Sequence, residues 1–552
     1  MLAATAVFAA LCFAAWLGSV SGASVQHPWY SIVPPVLAII LAFLTHHVIF
    51  SLGISLVVGG LLTAVPSAMG DAEVWMQGLD AIGNCLARTL TNKTNLLILS
   101  FIPPIFTMVE IIMASGGFLG IVAWLLRWIR NARSAQLATG ILGIICFIDD
   151  YANAIIVGSM MQPVTDRFRI SRAKLAFLVD ATSAPVSGLA IVSTWIAYEV
   201  GLFADVSKQL GLGKTGYAMF FDALSFRFYC LLMLGFVFAQ IVLGRDFGPM
   251  RTAEERVRID DDTPGSRDPH AAMSSVPTGR AVNALLPLGG LVAFHLTGLW
   301  FDGGGIAKFA GIHSLASLNY WRQVISDAKH SNHMLLFAAL FGIVLALLCG
   351  AATGSLRRSA LPGCLWRGVK RASLPAVILT LAWSLKSCCD DLGTGQFLTG
   401  LLAERIPPCC FPPLLFLVAC LVSFATGTSW GTMAILIPTA LPTAFALDGH
   451  SYGLTTMVSV GAVLDGAIFG DHCSPISDTT ILSSTATSCG LLDHVRTQLP
   501  YSLTVAAVAV LCAYIPSALG LNPLLSLAIS IPVLLAILFA FGRRTKKQAS
   551  LS

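Results

Sequence analysis

Residues 469–484 read FGDHCSPISDTTILSS, and they interrupt a sequence that is apolar for long distances on either side. Two aspartates, a histidine, four hydroxyl residues and Pro475 fall within the ten residues 471–480. In hydrocarbon, polar groups and irregular backbone are costly, so such a segment must line a cavity or be buried in protein. The stretch therefore predicts a helix that is broken inside the membrane, with an ion-binding site at the break.

A second copy of this pattern lies in the first half of the chain. Residues 180–194, DATSAPVSGLAIVST, align with residues 471–485, DHCSPISDTTILSST, after one deletion. Two proline-broken, oxygen-rich segments at matching positions of two halves are typical of the binding site of a secondary transporter. The residues that recur in this alignment are the pairs Asp180/Asp471, Ser183/Ser474, Pro185/Pro475 and Ser187/Ser477.

The composition indicates a polytopic membrane protein. Of the 552 residues, 56% are hydrophobic and only 11% are charged, whereas soluble domains carry about 25% charged residues. The net charge of +5 is explained by basic residues in short loops, as the positive-inside rule expects, so no nucleic-acid partner is implied. The 14 cysteines lack the spacing of a metal site, and most lie in apolar runs, where cysteine behaves as a small hydrophobic residue.

The charge pattern predicts a re-entrant hairpin at residues 134–162. This stretch is apolar except for a polar centre from Asp149 to Asn153, and basic clusters flank it at 127–133 and 167–174. A single crossing would place one basic cluster outside the cell. Two half-helices of about 14 residues that meet at the polar centre keep both clusters in the cytoplasm and still span the apolar region.

The same order of segments recurs in the second half. A polar linker at 244–280 separates a first repeat at 31–243 from a second repeat at 281–519, which has its own hairpin at 412–444. The second hairpin has few basic residues beside it, so we expect it to enter from the outside. One offset of 279 residues joins three aromatic or proline pairs, Phe118/Phe397, Tyr151/Trp430 and Pro163/Pro442.

The expected fold is an all-α polytopic membrane protein with two inverted-topology repeats. Each repeat contains a re-entrant helical hairpin and a proline-broken transmembrane helix, at 173–200 with the break near Pro185 and at 453–486. Residues 1–24 are expected to be a removed signal peptide or an extra N-terminal helix. Residues 523–542 are expected to form a last helix, whose basic tail lies in the cytoplasm.

The two hairpin tips and the two broken helices are expected to meet near the middle of the bilayer and to bind a cation there. A small monovalent cation needs hard oxygen ligands, and buried carboxyl groups that lie close together cannot all stay charged, so the same groups can bind Na⁺ or H⁺. The candidate ligands of the first half are Asp149, Asp150, Asn153, Asp180, Ser183 and Ser187. Those of the second half are Thr428, Ser429, Thr432, Asp465, Asp471, Ser474, Ser477, Asp478 and Thr479.

For several residues a structural role is an equal or better explanation. A lone hydroxyl in a membrane helix often bonds only a backbone carbonyl. His472 can move protons or serve as a hydrogen-bonded structural residue. Lys386 and Asp390 have the spacing of an i, i+4 ion pair, and Glu110 has no acidic counterpart at the 279-residue offset.

Three segments resemble the NhaC-type Na⁺/H⁺ antiporter family of the ion transporter superfamily. They are residues 147–186 (FIDDYANAIIVGSMMQPVTDRFRISRAKLAFLVDATSAPV), 427–438 (GTSWGTMAILIP) and 469–484. The resemblance covers roughly residues 30–520 and implies Na⁺/H⁺ exchange by a multi-pass protein of the cytoplasmic (inner) membrane, surrounded by lipid and without a cofactor. In the wider superfamily it also implies paired re-entrant hairpins and often a dimer, so a homodimer is one of the assemblies that it allows.

The sequence favours Na⁺/H⁺ antiport by alternating access. The alternative is a Na⁺-coupled carrier or exchanger of a small organic anion or amino acid, because members of the family also couple ions to organic acids. Such a carrier needs a cationic group at the site, for which Lys386 and Arg167 are the nearest candidates. A membrane-bound enzyme has little support, since no nucleotide-binding glycine loop, HExxH motif or Ser/His/Asp spacing stands out.

Overall fold

Helices form almost all of the computed structural model, which describes residues 29–45, 47–64, 73–259, 279–394, 397 and 406–544. The helices of the first half are α1 (Val33–Thr45), α2 (Val48–Ala64), α3 (Glu73–Thr91), α4 (Lys93–Ala114), α5 (Gly117–Leu126), α6 (Ala132–Ile145), α7 (Asp150–Arg167), α8 (Arg172–Leu189), α9 (Thr194–Gln209), α10 (Gly216–Ala223), α11 (Phe228–Leu243) and α12 (Gly248–Ile259). Those of the second half are α13 (Val282–Asp302), α14 (Gly305–Lys308), α15 (Leu318–Asp327), α16 (Ser331–Ala352), α17 (Leu361–Asp391), α18 (Phe411–Thr426), α19 (Ser429–Leu447), α20 (Leu454–Cys473), α21 (Asp478–Ala486), α22 (Leu491–Val508), α23 (Ile515–Ala518) and α24 (Pro523–Phe541).

Shorter elements complete the chain. The 3₁₀ turns are Trp29–Ile32, Leu224–Phe226, Ile312–Ala316, Arg358–Ala360 and Pro408–Cys410, and a π-helical stretch, Ala509–Tyr514, joins α22 to α23. Two strands of two residues, β1 (Arg245–Asp246) and β2 (Arg543–Arg544), pair antiparallel.

Nine helices within the described residues are long and apolar enough to cross a membrane, and two bent pairs of helices raise the number to eleven. In α20, 89% of the apolar window is buried inside the protein, whereas in α24 only 22% is. Because α24 is apolar yet mostly uncovered, it belongs at the lipid-facing periphery, and α20 belongs to the core. The protein is a multi-pass membrane protein, and the prediction of an all-helical membrane fold is confirmed.

Two packed helices stand where the first hairpin is expected. Helices α6 and α7 contact each other and are joined by residues 146–149. The side chain of Asp149 accepts a hydrogen bond of 2.7 Å from the backbone N–H of Ala152. It is thus the N-cap of α7, because it satisfies one of the N–H groups that a helix leaves free at its start.

The second hairpin is built in the same way from α18 and α19, which also contact each other. Thr428 is the N-cap of α19 and accepts from the N–H of Gly431 at 3.3 Å. The residue before it, Gly427, has a φ of 65°, in the left-handed region. A Cβ atom on Gly427 would lie 2.8 Å from the carbonyl oxygen of Ile476, so glycine allows this tip to approach the chain near residue 476.

Two helices break beside these tips. Residues 190–193 separate α8 from α9, and residues 474–477 separate α20 from α21. Ser193 and Ser477, the last residues of the two breaks, are the N-caps of the helices that follow. Helix α9 packs on α19, and α21 packs on α7. Each broken helix therefore ends on the hairpin of the other half of the chain.

The position predicted for the first break is wrong. Helix α8 continues through Pro185 without interruption and ends at Leu189. A proline removes one hydrogen bond from a helix, but packing on all sides can hold the helix together, and residues 173–188 of α8 are all buried. The chain leaves the helix where the hydroxyl of Ser193 donates to the carbonyl of Ser187 at 2.8 Å. The second break contains Pro475, as expected.

The start of the predicted linker is structured. Helix α12 packs on α8 and α22, and the carboxylate of Glu254 accepts a hydrogen bond of 2.8 Å from the N–H of Ser171. Residues 1–28, 260–278 and most of 393–405 lie outside the described residues, and with them the predictions made for the N-terminal segment and the rest of the linker.

The order of hairpin and broken helix occurs twice. The hairpin caps Asp149 and Thr428 are 279 residues apart, which is the offset found in the sequence. The breaks follow at a similar distance in each half. These matches support two repeats, while the opposite orientation of the repeats in the membrane stays a prediction.

Candidate functional site

The first hairpin tip contacts both breaks. The N–H of Thr194, at the first break, donates to the carbonyl of Ile148 at 2.9 Å. The hydroxyl of Tyr151, in the first turn of α7, donates to the carboxylate of Asp478, at the second break. The polar residues at the first hairpin tip therefore lie beside polar residues at both helix breaks.

The second hairpin tip also contacts both broken helices. The hydroxyl of Tyr198 on α9 donates to the carbonyl of Trp430 at 2.5 Å, and the two rings lie 4.6 Å apart. On the other side, the hydroxyl of Ser429 donates to the carboxylate of Asp471 on α20 at 3.2 Å. The two hairpin tips and the two broken helices therefore meet in the interior of the protein.

Asp471, in the last turn of α20, lies among the hydroxyls of Ser429, Ser477 and Thr479. We call these four residues the Asp471 cage. The hydroxyl of Ser477 donates to Oδ1 of Asp471 at 2.6 Å, and those of Ser429 and Thr479 donate to Oδ2 at 3.2 and 3.3 Å. Asp471 is 1% exposed. No lysine or arginine within the described residues forms an ion pair with it. The cage is thus a buried carboxylate surrounded by hard oxygen atoms.

Several other acidic side chains of the described interior have basic partners, whereas Asp149, Asp150 and Asp471 form no ion pair. Arg367 and Arg371 pair with Glu110 at 2.7 and 3.2 Å, and Lys174 pairs with Asp246 at 2.6 Å. These ion pairs balance the buried charge, which would otherwise be costly. Among the described residues, Asp471 lacks the charge balance that these ion pairs give to Glu110 and Asp246.

Asp465 does not belong to the cage, in contrast to its place in the predicted ligand set. Its Oδ1 accepts from Arg227 at 2.9 Å, and its Oδ2 accepts from the N–H of Tyr229 at 2.6 Å and from the hydroxyl of Tyr514 at 2.8 Å. Arg227 also lies 3.4 Å from Glu199. Both oxygen atoms of Asp465 are therefore already bound, and its charge is balanced by a buried guanidinium.

Asp180 is likewise separate from the cage. Its carboxylate accepts from Gln498 at 2.7 Å and from Ser483 at 3.3 Å, and it lies 3.2 Å from Nε2 of His494 and 3.8 Å from Nε2 of His472. These partners come from α20, α21 and α22. Asp180 thus joins three helices near the second break. Nδ1 of His472, beside it, lies 2.9 Å from the hydroxyl of Tyr229.

Several of the predicted hydroxyls bond the backbone. Ser183 donates to the carbonyl of residue 180 at 2.9 Å, and Thr432 donates to the carbonyl of Thr428 at 2.8 Å. The hydroxyl of Ser474 accepts from the N–H of Ile476 at 3.4 Å. For these residues, and for the cap Thr428, the structure shows the backbone role that lone hydroxyls often have.

Three carboxyl groups from the two halves influence one another. Asp150, Asp471 and Asp478 are close enough for their charges to repel. Asp150 and Asp471 are buried, whereas Asp478 is exposed and accepts from Tyr151 and from its neighbour's N–H. Three negative charges at these positions are unfavourable unless a proton or a cation neutralises part of them.

Sequence reasoning missed Arg227 and Glu199. Both are fully buried, but neither lies in a repeated motif. The signal for Arg227 was a single arginine between the apolar residues of α10 and α11, since a charged residue inside a membrane segment needs a partner. The predicted pair of Lys386 and Asp390 is present at 2.8 Å.

The chain is similar in sequence and in fold to known transporters. Residues 186–515 match the family described as the Na⁺/H⁺ antiporter family. The chain is 30% identical over 524 residues to an uncharacterized protein of Haemophilus influenzae, covering 93% of this chain and 96% of that protein. It is 37% identical over 100 residues to the malate-2H⁺/Na⁺-lactate antiporter of Bacillus subtilis, covering 18% of this chain and 20% of the relative. The fold is similar to the crystal structure of the YdaH transporter of Alcanivorax borkumensis, with a TM-score of 0.58 and 13% identity over 83% of this chain and 91% of that chain.

Proposed function

The chain belongs to the Na⁺/H⁺ antiporter family, and we propose that it exchanges Na⁺ for H⁺ across the cytoplasmic membrane by alternating access. The observation that carries the proposal is the Asp471 cage, a buried carboxylate that three hydroxyls surround and to which no described basic side chain is paired. The cage joins a hairpin tip to a helix break, as a site between moving elements requires.

The chemistry of the cage suits either ion. A hydroxyl has two lone pairs, so Ser429, Ser477 and Thr479 can rotate from donating to Asp471 to coordinating Na⁺ beside it. Without Na⁺, a proton on the carboxyl removes the charge that burial makes costly. Na⁺ and H⁺ then exclude each other at Asp471. Reorientation with the bare charge is unfavourable, and this couples the two fluxes.

The different origins of the ligands support alternating access. Ser429 belongs to the second hairpin, whereas Ser477 is the last residue of the break between α20 and α21 and Thr479 lies in the first turn of α21. Separation of the hairpin tip from the break would remove one ligand and open the cage. Return of a proton to Asp471 would then allow the elements to close again.

The second candidate function is Na⁺-coupled exchange of an organic acid, which the similarity to the malate-2H⁺/Na⁺-lactate antiporter favours. An organic anion needs a cationic group that is not already neutralised. Lys386, however, pairs with Asp205 and Asp390. Arg167 lies at the far end of the 18-residue helix α7, which places it about 25 Å from the hairpin tip at 1.5 Å per residue.

Proton movement in everted membrane vesicles separates the two functions. A pH-sensitive dye reports alkalinisation of the vesicle interior when Na⁺ is added to an otherwise organic-acid-free buffer. The Na⁺/H⁺ antiporter produces this signal with Na⁺ alone. A signal that appears only after malate, lactate or another organic acid is supplied would support the alternative.

A further inference from the structure

Beyond the Asp471 cage, and resting on the proposed function, we infer that the first half of the chain carries a second, distinct Na⁺ site. Five side-chain oxygen atoms at the first hairpin tip and the first break have no hydrogen-bond partner among the described residues: Asp149 Oδ2, Asp150 Oδ1, Asn153 Oδ1, Ser187 Oγ and Thr194 Oγ1. Each of these residues is at most 2% exposed. Buried polar atoms are almost always paired, so a group of five unpaired oxygens indicates a missing partner.

These residues lie on elements that contact one another. The side chain of Thr194 lies beside the carboxyl of Asp149. Its backbone N–H donates to the carbonyl of Ile148, the residue before Asp149. Asn153 is one helical turn beyond Asp149, and its N–H donates to the carbonyl of Asp149 at 3.0 Å. The carbonyl of Ser187 accepts from Ser193, in the break. The hairpin tip and the break are therefore in contact at the residues that carry these oxygen atoms.

The chemistry of the group selects a cation. Both hydrogen-bond donors of the Asn153 amide are used, since Nδ2 donates to the carbonyls of Gly143 and Thr182 at 2.8 and 3.0 Å. The atom left over is an acceptor, like the free oxygens of Asp149 and Asp150. Carboxylate, amide and hydroxyl oxygens are hard ligands, which suit Na⁺. An anion would face two carboxyl groups.

Two nearby groups with N–H donors do not fill the site. The charge of Arg371 acts on Asp149, but this guanidinium already pairs with Glu110 at 3.2 Å. The indole of Trp195 lies beside Asp150, and its single N–H can serve only one oxygen atom. The hydroxyl of Thr194 can donate to the Asp149 carboxylate beside it and still offer its lone pairs. Asn153 Oδ1, Ser187 Oγ and the lone pairs of Thr194 thus keep their capacity for a cation.

The second site matches the Asp471 cage in its construction. In the cage, a hairpin tip supplies Ser429, and the adjoining broken helix supplies the other ligands. In the first half, the tip supplies Asp149, Asp150 and Asn153, and the adjoining broken helix supplies Ser187 and Thr194. The single shared site predicted from the sequence is thereby replaced by two sites, one at each hairpin. Tyr151 links them, because it follows Asp150 and donates to Asp478.

Equilibrium binding of ²²Na⁺ to the purified full-length protein in detergent tests the inference. The wild type is expected to bind two Na⁺ per chain. The double variant Ser187→Ala/Thr194→Val, which removes two hydroxyls and no charge, is expected to bind one. Thr139→Val is the matched control, because Thr139 is an equally buried threonine of the first hairpin that donates only to the carbonyl of Ala135; it is expected to bind two.

The outcomes separate this inference from the proposed function. One Na⁺ per wild-type chain, lost in Asp471→Asn and kept in the double variant, would overturn the second site and leave Na⁺/H⁺ exchange intact. Two Na⁺ in the double variant would also overturn it. No Na⁺ binding by the wild type would contradict both proposals. The number of Na⁺ ions bound per wild-type chain tests the second site even when the double variant does not fold.

Discussion

The hydroxyl of Ser429, at the tip of the second hairpin, donates a 3.2 Å hydrogen bond to Oδ2 of Asp471, on the broken helix α20. Within the Asp471 cage, this is the contact that crosses from hairpin to broken helix, since Ser477 lies in the break after α20 and Thr479 lies in the first turn of α21. A hydroxyl placed in this way can hold the cage closed and also supply a ligand.

Ser429→Ala is expected to raise the Na⁺ concentration for half-maximal exchange about tenfold, because one ligand or hydrogen bond contributes about 1–1.5 kcal/mol. Ser423→Ala is the control. Ser423 lies on the same hairpin, is equally buried, and donates to the carbonyl of Ala467 instead of to Asp471. Dye-monitored exchange across a series of Na⁺ concentrations gives both values. Equal shifts in the two variants would show that Ser429 has no special role.

Gly427→Ala is expected to slow exchange more than Gly449→Ala. Both glycines are left-handed, with φ of 65° and 67°, so an added Cβ costs each about 1–2 kcal/mol of backbone strain. Only at Gly427 does the Cβ also meet a neighbour, at 2.8 Å from the carbonyl oxygen of Ile476, while nothing lies within 4 Å at Gly449.

The difference between these two variants measures how strongly transport depends on the close approach of the second hairpin tip to the second break. Initial exchange rates, normalised to the amount of folded protein in the membrane, are the measurement. Similar rates in the two variants would mean that transport does not depend on this approach.

Arg227→Met is expected to destabilise the protein by about 3–5 kcal/mol, since it leaves two buried carboxylates without their cation. Asp465→Asn is expected to cost less, because Glu199 still balances Arg227. Neither change should alter the Na⁺ concentration for half-maximal exchange in the protein that does fold. Thermal unfolding in detergent gives the order of stabilities, and a Na⁺ shift in Asp465→Asn without a loss of stability would return Asp465 to the ion site.

Glu254 predicts a pH dependence of stability on the linker side. Burial raises the pKa of its carboxyl above the ordinary value. The unfolded chain therefore loses this proton first as pH rises, and the stability contributed by protonated Glu254 declines from near pH 4, where free glutamate titrates (pKa about 4.3), until the folded group ionises. Glu254→Gln should remove this decline. Unfolding midpoints that change with pH equally in the variant and the wild type would assign the effect to another group.

The two hairpins were the part of the fold most open to prediction from sequence. For the first hairpin, basic residues on both flanks and a polar centre leave few other arrangements in a membrane. A constant offset between the halves requires that the hairpin caps correspond, and Asp149 and Thr428 do. The second break was also predictable, because Pro475 and several hydroxyls coincide there.

The first break shows the limit of such reasoning. The aligned Pro185 suggested a break at the wrong place, since a proline inside a tightly packed helix need not end it. At the actual break the hydroxyl of Ser193 donates to the carbonyl of Ser187, a contact that the alignment of the two halves does not predict.

The sequence also could not predict which acidic residues form ion pairs and which lie among hydroxyls, because these partners come from distant parts of the chain. Asp465 and Asp471 are six residues apart on one helix, yet Arg227 neutralises the first and hydroxyls surround the second. Arg227 comes from a segment outside every repeated motif. Only the folded chain shows which carboxylate keeps its capacity for an ion.

The most direct test of the central claim is the effect of Asp471→Asn on Na⁺-driven proton movement in everted vesicles. The substitution keeps the size of the side chain and removes the charge that Na⁺ and H⁺ share. The account predicts that exchange is abolished while the variant remains monodisperse in detergent. Exchange at the wild-type rate in Asp471→Asn would contradict it.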